Sequence, residues 1–221
     1  MTYVFRNGSV FLHTPKTGGT ILGFLFRDLR IGERTFDNSG RSHYTSEEIR
    51  NILPFTKIMC FVRFPTAWLA SLYSHFERRQ RGIDETLCIW ESLKRDSFED
   101  FLNDYLDNYP GLVGKTFEQY TKGASFVGRY ENMHSDVFLG LKELGVKLKA
   151  NQLLGLKKGL MYRANYAGQE HKQKTRIDAE FFYRVCIAES KFISTYYNLP
   201  DILMQNVSLE RMYVRQGKNW H

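Results

Sequence analysis

Three short runs of the chain are almost wholly apolar and end at turn-forming residues: 9–14 (SVFLHT), 57–62 (KIMCFV) and 125–130 (SFVGRY). Runs of that length and content read as buried strands. Each leads into a stretch with helical spacing. The first passes through a Gly turn into the apolar segment 20–29, and the second passes through Arg63 and Pro65. Beyond Pro65, Trp68, Leu69, Leu72, Tyr73 and Phe76 recur at i, i+1, i+4, i+5 and i+8, one face of an amphipathic helix. Pro65 suits the first helical turn, where its missing N–H costs nothing. Ser135 or Asp136 fits the N-cap of the helix after the third run. Ser97 with Asp100 forms a weakened capping box before Phe101, Leu102 and Tyr105. Asp178 can cap a long carboxy-terminal helix bearing Phe181, Phe182, Val185, Phe192 and Ile193. Strands alternating with helices predict an α/β fold with a central parallel sheet covered on both faces, binding ligands at the carboxyl ends of its strands. Residues 78–122 carry helical patterning without a strand, so they read as a helical insertion lying over one side of the core.

Composition narrows the class. With 221 residues, 43% hydrophobic and 25% charged, the chain suits a single globular domain, and no repeat or Pro/Ser-rich linker divides it. Lys and Arg outnumber Asp and Glu by 31 to 24, and the isoelectric point is near 9.2. That excess points to anionic partners without choosing among nucleic acid, acidic polysaccharide and phosphorylated cofactor. Cys60, Cys88 and Cys186 are too scattered for a disulfide framework or a zinc site, so no structural metal is expected. The amino terminus has neither a signal-peptide layout nor the ~20 apolar residues of a membrane span. A cytoplasmic protein is the corresponding expectation.

The segment His13-Thr-Pro-Lys-Thr-Gly-Gly-Thr20 joins a strand to a helix. Gly18 and Gly19 let backbone N–H groups approach an anion, and the helix amino terminus adds a favourable dipole. Lys16 supplies a mobile charge, and Thr17 and Thr20 supply hydroxyls. A tight turn with a solvated Lys16 would use the same residues. A nucleotide-triphosphate loop places Lys after its glycines, whereas here Lys precedes them. The second strand ends Cys60-Phe-Val-Arg63, with a cation where a magnesium-holding acid is expected. Arg63 offers a planar fork for a phosphate, and Ser71 follows about two helical turns later at ~3.6 residues per turn. Taken alone, Arg63 could equally pair with a carboxylate and Ser71 could be a packing residue.

Together the two loops resemble the PAPS-dependent sulfotransferase family (PAPS is 3′-phosphoadenosine-5′-phosphosulfate). Pro15-Lys-Thr-Gly-Gly-Thr20 is similar to the family's 5′-phosphosulfate loop, and Arg63-Phe-Pro65 with Ser71 to its 3′-phosphate signature. Arg129-Tyr130-Glu131 resembles an Arg-Tyr-Glu that ends a later strand in the family. The forms of the loops look most like the carbohydrate branch, the heparan-sulfate-type enzymes and their bacterial relatives. The matches span roughly residues 9–135. Arg163-Ala-Asn-Tyr166 loosely matches a loop that closes over the nucleotide, and Arg215-Gln-Gly217 with Trp220 faintly matches a terminal motif of the cytosolic branch.

The resemblance implies a P-loop-like sheet and metal-free transfer of a sulfuryl group from PAPS to a hydroxyl, with a glycan as the expected acceptor. Lys16, Thr17, Gly18, Gly19, Thr20, Arg63 and Ser71 would then bind the nucleotide, with Lys16 also catalytic. Transfer to a hydroxyl needs a base, and histidine can accept a proton near neutrality. Among His13, His43, His75, His134, His171 and His221, His43 lies in Gly40-Arg-Ser-His-Tyr-Thr-Ser-Glu, which resembles the stretch where carbohydrate sulfotransferases carry their base. His13, at the end of the first strand, is the second candidate. Two other classes compete. One is a polyanion-binding module using Lys157, Lys158, Arg163, Lys172, Lys174 and Arg176. The other is a nucleotide-triphosphate-dependent phosphotransferase. Nucleic acid is not the expected partner.

Overall fold

The computed structural model describes residues 2–34, 43–54, 56–78, 90, 93, 95–163, 175, 177–198, 200 and 202. The chain divides into two compact units, one of Met1–Phe64 with Lys115–Gly168 and the other of Pro65–Gly114 with Gln169–His221.

The first unit holds a five-stranded sheet. Its strands are β1 (Tyr3–Phe5), β2 (Val10–Phe11), β3 (Gly32–Arg34), β4 (Ile58–Val62) and β5 (Phe126–Arg129), in the order β3-β1-β2-β4-β5. β2, β4 and β5 run parallel, with Val10 opposite Ile58 and Met59 opposite Phe126. The three apolar runs form this parallel part, as their pattern predicts. The sheet is mixed, because β1 pairs antiparallel with both β2 and β3. Asn7 holds the β1–β2 turn by accepting from the Ser9 N–H and hydroxyl.

Alternate residues of β4 feed two cores. Met59 and Phe61 enter a cluster with Phe5, Phe11, Phe26 and Val137, and Ile58 and Cys60 enter another with Val10, Leu12, Ile49 and Tyr120. Every residue of β4 is buried, which explains an apolar run without alternation. Burial also pushes the Cys60 thiol up to about 12, so it is inert as a nucleophile. Helices α1 (Gly19–Asp28) and α2 (Ser46–Ile52) follow β2 and precede β4 respectively. Thr45 caps α2 in a reciprocal box with Glu48.

In the second unit, α3 (Pro65–Arg78) buries Trp68, Leu69, Leu72, Tyr73 and Phe76, the face read from the sequence. Helix α4 (Phe98–Asn108) is capped by Ser97, whose hydroxyl accepts from the Asp100 N–H. Helix α5 (Leu112–Thr121) starts in the second unit and ends in the first. Among the described residues no strand falls within 78–122.

Returning to the first unit, a 3-10 turn (Tyr130–Asn132) runs straight from β5 into α6 (Met133–Glu143). Neither Ser135 nor Asp136 caps it. Asn132 holds the N-cap position, while Asp136 accepts from the Arg129 N–H and Ser135 donates to the Asn132 carbonyl. Helix α7 (Ala150–Arg163) packs on α1 through Gly155 and Gly159, where a Cβ would meet Leu29 and Leu25.

The long carboxy-terminal helix is two helices, α8 (Ala179–Ala188) and α9 (Ser190–Tyr196), both in the second unit. Asp178 caps α8 as expected, accepting from the Phe181 N–H at 2.8 Å. The break at Glu189 has a visible cause. Its buried carboxylate accepts from the N–H groups of Val113 and Gly114, at 2.9 and 2.8 Å, and from the Tyr105 hydroxyl. Glu189 therefore caps α5 from a distant part of the chain. Glu189→Ala would strand that hydroxyl and two N–H groups, each costing ~1–3 kcal/mol when buried without a partner. The expected loss is about 3 kcal/mol or more, read as a fall in melting temperature of roughly 6–12 °C at ~2–4 °C per kcal/mol. An unchanged melting temperature would show the cap to be unimportant.

Among the described residues no helix is long and apolar enough to cross a membrane.

Candidate active site at the loop after β2

The chain leaves β2 at Phe11 and turns through residues 15–18 into α1. Two residues in this turn have left-handed backbones, Lys16 with φ 62° and Gly18 with φ 76°. Gly tolerates that region freely, but an L side chain costs ~1–2 kcal/mol there. Strain of this kind persists where the surroundings over-determine the residue, and it clusters at functional sites. The surroundings are plain. The Thr17 hydroxyl donates to the Thr14 carbonyl at 2.8 Å, and Arg63 Nη1 donates to the Lys16 carbonyl at 3.2 Å. Arg63 is itself held over the Tyr130 ring, its guanidinium carbon 4.3 Å from the centroid.

Helix α1 then starts without a side-chain cap and without an acid in its first turn. Its first N–H groups and positive dipole end are those of an anion site. Gly18 and Gly19 make the turn possible by close approach. A Cβ on Gly18 would overlap Met133 and Tyr130, and one on Gly19 would overlap the His13 ring. The Thr17 hydroxyl is spent on closing the loop. Thr20 is exposed on the first turn of α1. Thr14, absent from the sequence-derived set, is 1% exposed, and its hydroxyl has no hydrogen-bond partner. A buried, unmatched donor beside this loop is a group that sequence spacing could not reveal.

The histidines meet at the same loop. His13 and His43 are both buried, with ring centroids 4.5 Å apart. His43 Nδ1 lies 2.8 Å from the His13 carbonyl oxygen. A carbonyl only accepts, so Nδ1 carries a hydrogen, and in the neutral ring Nε2 then holds the lone pair. His43 is thereby fixed in the tautomer that a proton acceptor at Nε2 requires.

Burial pushes the His13 imidazole well below its ordinary value, and the positive charges of Lys16 and of His43 when protonated push the same way. Folded His13 stays neutral at pH values where the unfolded chain protonates it. Its contribution is full above ~6.5 and is lost as pH falls below that value, at up to ~1.4 kcal/mol per pH unit. Denaturant titrations between pH 7 and pH 5 are expected to show a shallower loss of stability in His13→Gln than in the parent. Equal slopes would count against a neutral His13.

Lys16, Thr17, Gly18, Gly19, Thr20, Arg63, His13 and His43 all belong to the first unit, whereas Ser71 is half-buried on α3 in the second. Tyr130 and Glu131 prove structural for this loop system: Tyr130 backs Arg63 and Gly18, and Glu131 accepts from the Phe64 N–H at 2.8 Å. Among the described residues no group of His, Cys, Asp or Glu is placed to hold a metal ion. Residues 164–166, His171, Lys172, Lys174, Arg176, Arg215, Gly217, Trp220 and His221 lie outside the described residues, as does Cys88. Lys157 and Lys158 are exposed on α7.

No protein-family model and no curated protein matches the chain. Among solved structures it is similar to the crystal structure of mouse sulfotransferase SULT7A1 complexed with PAP, at 15% identity and a TM-score of 0.43, over 98% of this chain and 86% of that one. So distant a likeness leaves the chemistry of the site to be read from its own residues.

Proposed function

We propose that the chain is a sulfotransferase that moves a sulfuryl group from PAPS to a hydroxyl, on a carbohydrate acceptor, without a metal. The observation that carries this reading is the loop after β2: a strained Lys16, clamped by Arg63, beside an uncapped helix amino terminus. The residues present fit the donor. Anion-seeking N–H groups and Lys16 suit the phosphosulfate end, and Arg63 suits the further phosphate. Ser71 enters only through the sequence motif.

In this reading His43 Nε2 takes the acceptor hydroxyl proton as the oxygen attacks sulfur. The S–O bond to phosphate breaks as the new S–O bond forms. Lys16 and the α1 N–H groups stabilise the negative charge that gathers on the departing phosphate oxygen. Arg63 keeps the Lys16 backbone in place for that task.

A phosphotransferase is the second reading, and the identity of Arg63 disfavours it: a guanidinium, rather than a carboxylate, follows β4 and touches the loop. Differential scanning fluorimetry separates the two. Stabilisation by adenosine 3′,5′-bisphosphate in the presence of chelator, with transfer of labelled sulfate from PAPS to a glycan panel, is the expected result. Stabilisation by Mg-ATP alone would establish the phosphotransferase, and binding of polyanions alone the non-catalytic module.

A further inference from the structure

A second basic site lies in the first unit, at the end of α1 remote from the Lys16 loop. Ten helical residues separate the two ends, about 15 Å at ~1.5 Å per residue. Here the β1–β2 turn, the carboxyl end of α1, the segment after α6 and the start of α7 line an open cavity of about 580 Å³. Its walls carry four cations, Arg6, Arg30, Lys147 and Lys149, and no carboxylate. Among the described residues none of the four is in an ion pair. In a chain with 24 acidic residues, four cations around one concavity without a counter-charge leave a positive field focused in it.

The walls are tied together by side-chain-to-backbone hydrogen bonds. Asn7 Nδ2 donates to the Leu144 carbonyl at 2.7 Å. Gln152 Nε2 donates to the Leu29 carbonyl at 2.9 Å while its Oε1 accepts from the Lys149 N–H.

Arg30 is the telling residue. Helix α1 ends in a Schellman motif, with the Ile31 N–H bonded to the Phe26 carbonyl and the Arg30 N–H to the Arg27 carbonyl. The position in between is left-handed, and Arg30 occupies it at φ 52°. Gly is the residue that this position favours. An arginine there adds a cation to the residues that line the cavity.

We infer that this cavity binds a small polyanion bearing two or more phosphate or sulfate ester groups, gripped by Arg6, Arg30, Lys147 and Lys149. The site is independent of the transfer reaction proposed above. A single phosphate would engage one or two cations. Four cations around a cavity of this size suit a compact ligand with several anionic groups, and the planar forks of Arg6 and Arg30 suit their oxygens.

The test uses the full chain and two probes, inositol hexakisphosphate and sucrose octasulfate, followed by calorimetry at low and at physiological salt. Saturable binding of either probe, weakening with salt, is expected; the tighter probe tells phosphate from sulfate as the natural chemistry. Arg30→Gly is expected to weaken that binding roughly tenfold or more while melting at or above the parent temperature. Lys147→Gln with Lys149→Gln should weaken it as well, and Lys16→Ala should leave it unchanged. The inference is overturned if neither probe binds, if Arg30→Gly and the double variant bind as the parent does, or if Lys16→Ala alone abolishes binding.

Discussion

Lys16→Gly is expected to melt no lower than the parent protein and to lose about 10²–10³-fold in sulfuryl transfer, the usual scale for removing one charge-stabilising donor. The two halves of that result come from one observation. Lys16 has a left-handed backbone, so glycine removes ~1–2 kcal/mol of conformational strain. The flexible residue gives back ~0.5–1 kcal/mol through the entropy of the unfolded chain. Stability therefore holds or rises slightly, while the ammonium is gone. Thermal melts and single-turnover transfer on the same preparation decide it. A marked fall in melting temperature would make Lys16 a structural residue, and undiminished transfer would remove it from the chemistry.

His43→Asn is expected to slow the chemical step by ~10²–10⁴-fold and to leave affinity for adenosine 3′,5′-bisphosphate nearly unchanged. Asparagine is the informative substitution because its amide nitrogen can stand in for Nδ1 and keep the bond to the His13 carbonyl. The loop architecture survives, and only the acceptor at Nε2 is lost. In the parent, transfer should slow as the medium becomes acidic enough to protonate Nε2; in His43→Asn that dependence should disappear. Full activity in the variant would move the role to His13, whose buried ring is neutral and stands beside it.

Of the parallel strands, β2 and β4 were legible because they are buried throughout, and an unbroken apolar run such as Ile58–Val62 admits few other readings. β1 and β3 were not. Each has three residues, too few for a period to register, and Gly32–Arg34 is polar. The N-cap before α6 was misread because a 3-10 turn feeds that helix directly, so Asp136 was free to bond Arg129 instead. The break between α8 and α9 depends on Glu189 reaching Val113 and Gly114, a contact 75 or more residues away along the chain. The candidate loop was legible as residue types in order. Its working details were not: the left-handed Lys16, the Arg63 clamp and the His43 tautomer are products of the fold. No local pattern encodes a hydrogen bond between residues 30 apart.

The imidazole of His13 lies where a side chain on Gly19 would have to go, and Tyr130 and Met133 stand in the same way over Gly18. A randomised library of the loop would thus divide its positions by what each screen rewards. Selection for soluble, folded protein alone would already hold 18 and 19 at glycine, even in clones that never meet a nucleotide. Lys16 would drift in that screen, freely and towards glycine, and would return only when survival depended on turnover. Invariance across the Lys-Thr-Gly-Gly segment would therefore record two separate pressures, steric at the glycines and chemical at the lysine.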